Sequence, residues 1–161
     1  MLGVTFNTNL NWTLHFNNLC KAFSSKLHAL RILKDCLTDS DLKIVYYALL
    51  SSLLDYAAPL FMNATCKGNN ILNRCILRAH KLICGSCCDK NYLGTIESRR
   101  GKLSLAHYNK IRLNPNHTLL QFLPAQSCRS KRIIIPACTL NSRLNSFEIQ
   151  CAIMYNNSIN N

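Results

Sequence analysis

"IVYYALLSSLLDYAAPLF", residues 44–61, is the stretch on which the fold turns. Its eighteen residues are almost wholly apolar, close to the length a helix needs to cross a bilayer. Asp55 and Pro59 interrupt it, and Asp39, Asp41 and Lys43 lie just before it. A carboxylate inside a membrane span is costly. The spacing of Leu42, Val45, Tyr46, Leu49, Leu53 and Tyr56 is that of one face of an amphipathic helix. A buried helix is therefore expected in preference to a transmembrane one. Thr38 or Asp39 would cap it, the acidic side chains would favour the positive end of the helix dipole, and Pro59 would end it.

Working outward, "TLHFNNLCKAFSSKLHALRILK", residues 13–34, repeats Leu19, Phe23, Leu27, Leu30 and Leu33 at three- and four-residue steps, with Lys21, Lys26, Arg31 and Lys34 on the remainder. A third helix is expected from about Asn70 to Cys84, burying Leu72, Cys75, Ile76, Ala79, Leu82 and Ile83 and closed by Gly85. Arg74, Arg78 and Lys81 fall on its other side at i, i+4 and i+7, as a basic ridge that could face phosphates or simply be a solvated face. Beyond Gly85 the pattern loosens. "CCDKNYLGTIESRRGK" reads as loop, "LSLAHYNKI" as a short helix, and "RLNSFEIQCAIMYN" as a closing amphipathic helix. At the other end, Leu2 to Phe6 read as a short apolar strand.

The charge is lopsided. Residues 1–66 hold five Lys/Arg against four Asp/Glu, and residues 67–161 hold fourteen against three, so +11 of the formal +12 lies in the second part. Such an imbalance suggests a polyanionic partner, nucleic acid before an anionic membrane surface. Catalytic patterns are missing. There are seven carboxylates and no adjacent pair, no Gly-rich phosphate loop, no nucleophile elbow and no H-E-x-x-H. Ten cysteines could suggest a disulfide framework, but several fall on apolar helix faces, and the N-terminus lacks the basic and apolar regions of a signal peptide. Reduced thiols and an intracellular location are expected. Cys84 and Cys87 form a C-x-x-C without a second ligand pair, so no metal is expected there.

The motifs taken together resemble a known family. "LGVTFNTNLNWTLHFNNLCKAFSSKLHALRIL" is similar to the segment just downstream of the catalytic palm in LINE-type (non-LTR, jockey-like) retrotransposon reverse transcriptases. Leu2, Gly3 and Val4 match a strand near the primer grip, and Leu10, Trp12 and His15 match the motif after it. Asp55, Tyr56 and Pro59 match the end of the next family helix, and "NRCILRAHKLICG" resembles the one that follows, closing on Gly85. In the tail, His117, Phe122, Pro124, Pro136, Arg143, Asn145, Phe147 and Asn157 fall into the family's register. Met1 and Asn7 depart from it, where the family has an aromatic residue and an aspartate.

The resemblance implies the C-terminal part of a larger RNA-directed DNA polymerase. The aspartate-bearing palm, and the sheet that would pair with Leu2 to Phe6, are expected upstream of Met1. No catalytic residue and no cofactor are expected in this segment, since Mg2+ would belong to the palm. The expected fold is mainly α. Residues 1–12 would be an orphan strand and turn, 13–85 a thumb-like helical domain and 86–161 a basic, loosely structured region. The implied partner is a template–primer duplex gripped by its backbone. The expected phosphate contacts are Arg74, Arg78 and Lys81, then Arg99, Arg100 and Lys102, then Arg129, Lys131 and Arg132. The alternative is a small helical interaction or scaffold protein whose first two helices dock a protein partner.

Overall fold

The computed structural model describes residues 3–5, 7–8, 12–62, 64–85 and 93–159, the side chain of Ser142 excepted. The fold is mainly α. Its helices are α1 (Thr13–Leu33), α2 (Asp39–Val45), a π-helical turn (Tyr46–Ser51), α3 (Ser52–Asp55), α4 (Cys66–Cys84), α5 (Ile96–Leu113), α6 (Asn141–Leu144) and α7 (Phe147–Ile159). Short 3-10 turns cover Ala58–Phe61 and Leu120–Phe122. None of the helices formed by the described residues is long and apolar enough to cross a membrane. The chain divides into two compact units, Met1–Ala57 with Ala64–Arg99, and Ala58–Asn63 with Arg100–Asn161.

In the first unit α1 buries Leu19, Phe23, Leu27 and Leu30 as its spacing predicts, adds His15 and Phe16, and leaves Leu33 only partly covered. Its contacts with α4 advance in the same order along both helices. Phe16 meets Gly68, Cys20 meets Cys75, and Leu27 and Arg31 line a cleft with Arg78, Lys81 and Leu82. The two helices therefore run side by side in the same direction. α4 begins four residues earlier than its composition suggests, because Thr65 caps it, accepting a hydrogen bond from the Gly68 amide at 3.3 Å. Gly68 and the two asparagines after it are poor helix formers and hide this first turn. The glycine is required by packing. A Cβ there would stand 2.5 Å from Cε2 of Phe16, whose ring is itself buried. Gly68→Ala is therefore expected to destabilise the unit by about 1–2 kcal/mol, the overpacking cost exceeding the roughly 1 kcal/mol gained in helix propensity. Urea unfolding measures the sign, and a stabilised variant would show that the ring yields.

The helix that decides the fold forms, with Thr38 accepting from the Asp41 amide at 3.3 Å, but its buried face is not the one expected. Leu42 and Tyr46 are buried, followed by Leu50 and Leu54, while Leu49 and Tyr56 are 42% and 48% exposed. The π turn explains the shift, since its extra residue per turn rotates every later side chain. Side-chain donors reach the widened turn. Ser52 Oγ donates to the Ala48 carbonyl at 2.6 Å, and Lys26 Nζ to that of Leu49 at 3.2 Å. The helix then ends at Asp55, ahead of Pro59, and Ala57 turns the chain at a φ of 55°.

Two further expectations are corrected. Gly3, Val4 and Thr5 form no strand; Gly3 has a φ of +71°, and the Thr5 amide donates to Nδ1 of His15 at 3.4 Å. Leu2 and Phe6 lie outside the described residues. Residues 86–161, expected to be loosely structured apart from a short helix at 103–111 and a closing helix at 143–156, hold among the described residues the closing helix α7 and, in place of the short one, the longer α5. α5 starts within the stretch read as loop, and its buried positions are Ile96, Arg100, Ser104, Tyr108 and Ile111. Two of these five are polar, so the sequence shows no apolar period there. In the second unit Tyr108, Ile133, Cys151 and Ala152 form a core with Leu123, Phe147, Met154 and Tyr155 around it. Asn156 on α7 grips both backbone groups of Ile133, accepting at 2.8 Å and donating at 2.9 Å. A side-chain amide thus does for this extended segment what a neighbouring strand would otherwise do.

Candidate nucleic-acid interface

Arg74, Arg78 and Lys81 are all exposed on the face of α4 opposite Leu72, Cys75, Ile76, Ala79 and Ile83. Parallel packing brings α1 beside this ridge. Leu27, Arg31, Arg78, Lys81 and Leu82 line a cleft of about 300 Å³. Arg31, read from the sequence only as decoration of α1, thereby joins the group. No local signal could have shown this, because the neighbours are about fifty residues away in the chain.

Part of this placement follows from helix electrostatics. Arg31 and Lys81 stand in the last turns of α1 and α4, where the C-terminal carbonyls favour cations. Two parallel helices present those negative ends on the same side. Arg78 and Arg74 lie further back, beyond the reach of that effect. The two helices also contain seven Lys/Arg (Lys21, Lys26, Arg31, Lys67, Arg74, Arg78 and Lys81) and not one Asp or Glu. An ordinary solvated helix face mixes signs, because i, i+4 pairs of opposite charge stabilise it and like charges do not. The uniform sign here comes at a cost in self-repulsion that an external polyanion would relieve.

The second expected cluster is largely used internally. Arg99 is ion-paired with Asp55: Nη2 bonds one carboxylate oxygen, and Nε bonds the other at 3.2 Å. Its guanidinium also lies 5.6 Å from the centre of the Tyr47 ring, and Ser51 Oγ donates to the same carboxylate at 3.0 Å. Tyr46 is buried beside this group. Burial pushes its phenol up to about 12, against the pull of Arg99. Arg100 is 2% exposed and stacks 5.0 Å from the centre of Phe61, so it presents no charge to solvent. Lys102 alone of the three is exposed.

Arg129, Lys131 and Arg132 are exposed on a turn of the second unit. The turn is closed by the Gln126–Ile133 bridge, by the Ser127 amide donating to Arg132 at 2.7 Å, and by Gln126 Nε2 donating to the Lys131 carbonyl at 2.5 Å. Lys131 holds a φ of 56°. Two backbone ties and one from the Gln126 side chain fix the turn, and its basic side chains are exposed.

The other described motif residues lie mostly at helix ends and in turns. Trp12 stands at the N-terminal end of α1 with its ring 6.5 Å from that of His15, edge to face. His15 is buried and receives the Thr5 amide. Tyr56 is exposed at the end of α3, and Pro59 sits in the 3-10 turn that follows. Gly85 closes α4 at a φ of 65°, as expected, its amide donating to the Lys81 carbonyl at 3.2 Å. The Pro136 carbonyl accepts from Cys138 Sγ at 3.2 Å, and the Phe147 ring packs edge to face on Tyr108 at 6.2 Å.

Among the described residues no three His, Cys, Asp or Glu side chains are placed to hold a metal ion. Cys87, the second half of the C-x-x-C, lies outside them. Cys20, Cys36, Cys66, Cys75, Cys128, Cys138 and Cys151 are in no disulfide. Compared with protein-family models, with curated proteins and with solved structures, the chain matches none.

Proposed function

We propose that this chain binds nucleic acid through its phosphate backbone, in the manner of the thumb and downstream region of a LINE-type reverse transcriptase, and has no polymerase activity of its own. The observation that carries the reading is the single-sign α1–α4 pair, with exposed Arg74, Arg78 and Lys81 and with Arg31 across the cleft. Guanidinium groups at such a surface can take phosphate oxygens bidentately, which gives affinity without reading bases. Lys102, Arg129, Lys131 and Arg132 would add contacts. Arg99 and Arg100 leave the list, because their charges are engaged inside the fold. An intracellular location and the absence of a resident metal go with this reading.

The test is fluorescence anisotropy on an RNA–DNA primer–template, paired with primer extension in Mg2+ or Mn2+. Saturable binding with no extension is expected. Extension by pure protein would overturn the non-enzymatic part, and absence of binding at low salt would overturn the whole. The rival reading, a protein-docking helix pair, draws on Ile32 and Ile44, which are 62% and 68% exposed on α1 and α2. It predicts no affinity for the hybrid.

A further inference from the structure

Cys20 on α1 and Cys75 on α4 meet where the two helices pack. Their sulfurs stand 3.3 Å apart, with the Cys75 thiol donating to Cys20. Cys75 is 3% exposed, whereas Cys20 is only half-buried. A disulfide bond is about 2.05 Å long, so the two sulfurs stand only about 1.3 Å beyond bonding distance. The two residues are 55 apart in the chain.

We propose that Cys20 and Cys75 are a disulfide-forming pair that low-molecular-weight disulfides oxidise, tying α1 to α4. Cys20 is the point of entry because it is the more accessible. Its thiolate attacks glutathione disulfide, forming a mixed disulfide and releasing one glutathione. The Cys75 thiolate then displaces the second. Two protein thiols and one glutathione disulfide become one protein disulfide and two glutathione thiols, which carry away both electrons and both protons. The reaction is slow at neutral pH and speeds up in base. Burial, the largest cause, pushes the Cys20 thiol up to about 12, with the neighbouring Cys75 charge adding to it, against the field of Arg78. Below that value the reactive thiolate grows about tenfold per pH unit. This proposal is independent of nucleic-acid binding.

The sequence provides a clean readout. Trypsin releases Cys20 in Met1–Lys21 and Cys75 in Cys75–Arg78, each peptide with a single cysteine. The full chain is incubated with glutathione disulfide at several pH values, quenched with N-ethylmaleimide and digested without reduction. The two peptides should appear linked, at a rate rising steeply with pH. The oxidised chain should melt several degrees higher than the reduced one, since closing a loop of this length restricts the unfolded chain. Cys20→Ser and Cys75→Ser, which keep size and fold, should each abolish both effects. Failure to recover the linked pair at about pH 9, where exchange is favoured, would overturn the proposal. So would a lower melting point after linkage, or linkage of Cys20 mainly to another cysteine.

Discussion

Replacing Arg74, Arg78 and Lys81 together by alanine is expected to reduce the salt dependence of nucleic-acid binding by about two to three units of log K per log salt. Each phosphate neutralised on a duplex contributes a slope of about −0.9, so at about 0.1 M salt the loss in affinity is several hundred-fold. The loss should be alike on unrelated sequences, because phosphate contacts position a protein without reading bases. Alanine is a good helix former, and α4 should remain folded by circular dichroism. Adding Arg31→Ala should remove about one further unit if the cleft acts as one site. Arg99→Ala is the contrast. It should leave the slope nearly unchanged while costing stability of about 1–3 kcal/mol, since Asp55 would lose its partner in a half-buried place. Anisotropy titrations across a salt series decide between these outcomes. An unchanged slope in the triple variant would remove the α4 ridge, and a changed slope in Arg99→Ala would contradict its internal role.

A second large effect is expected in the core of the first unit. Leu50 and Leu54 are fully buried, and Leu49 is 42% exposed. Leu50→Ala and Leu54→Ala should each cost about 2–5 kcal/mol, the transfer and cavity terms together. Leu49→Ala should cost under about 1 kcal/mol, as surface substitutions do. Chemical unfolding of the three variants tests the π turn directly. A regular α-helix through residues 39–55 would turn Leu49 inward and Leu54 away, making Leu49 costlier than Leu54.

Several local features were legible in the residues alone. The stripe of α1, the Thr38 cap, the Gly85 stop and the outward Arg74–Arg78–Lys81 row all follow from spacing and from end chemistry acting within a few residues. The charge imbalance is likewise a property of the chain. Tertiary structure decided the rest, because each remaining feature depends on a neighbour distant in sequence. The π turn moved burial from Leu49 to Leu50 where Lys26 and Ser52 reach its carbonyls. α5 formed across a stretch without apolar period, because Arg100 and Ser104 could be buried there. Gly68 is tolerated in α4 because the Phe16 ring needs its space. Whether an arginine is available to a ligand was settled in the same way. Arg78 faces solvent beside Arg31, whereas Arg99 meets Asp55 and Arg100 meets Phe61. Identical side chains carry identical local signals, and only the groups packed against them determine whether the charge is spent inside the fold or left for a partner.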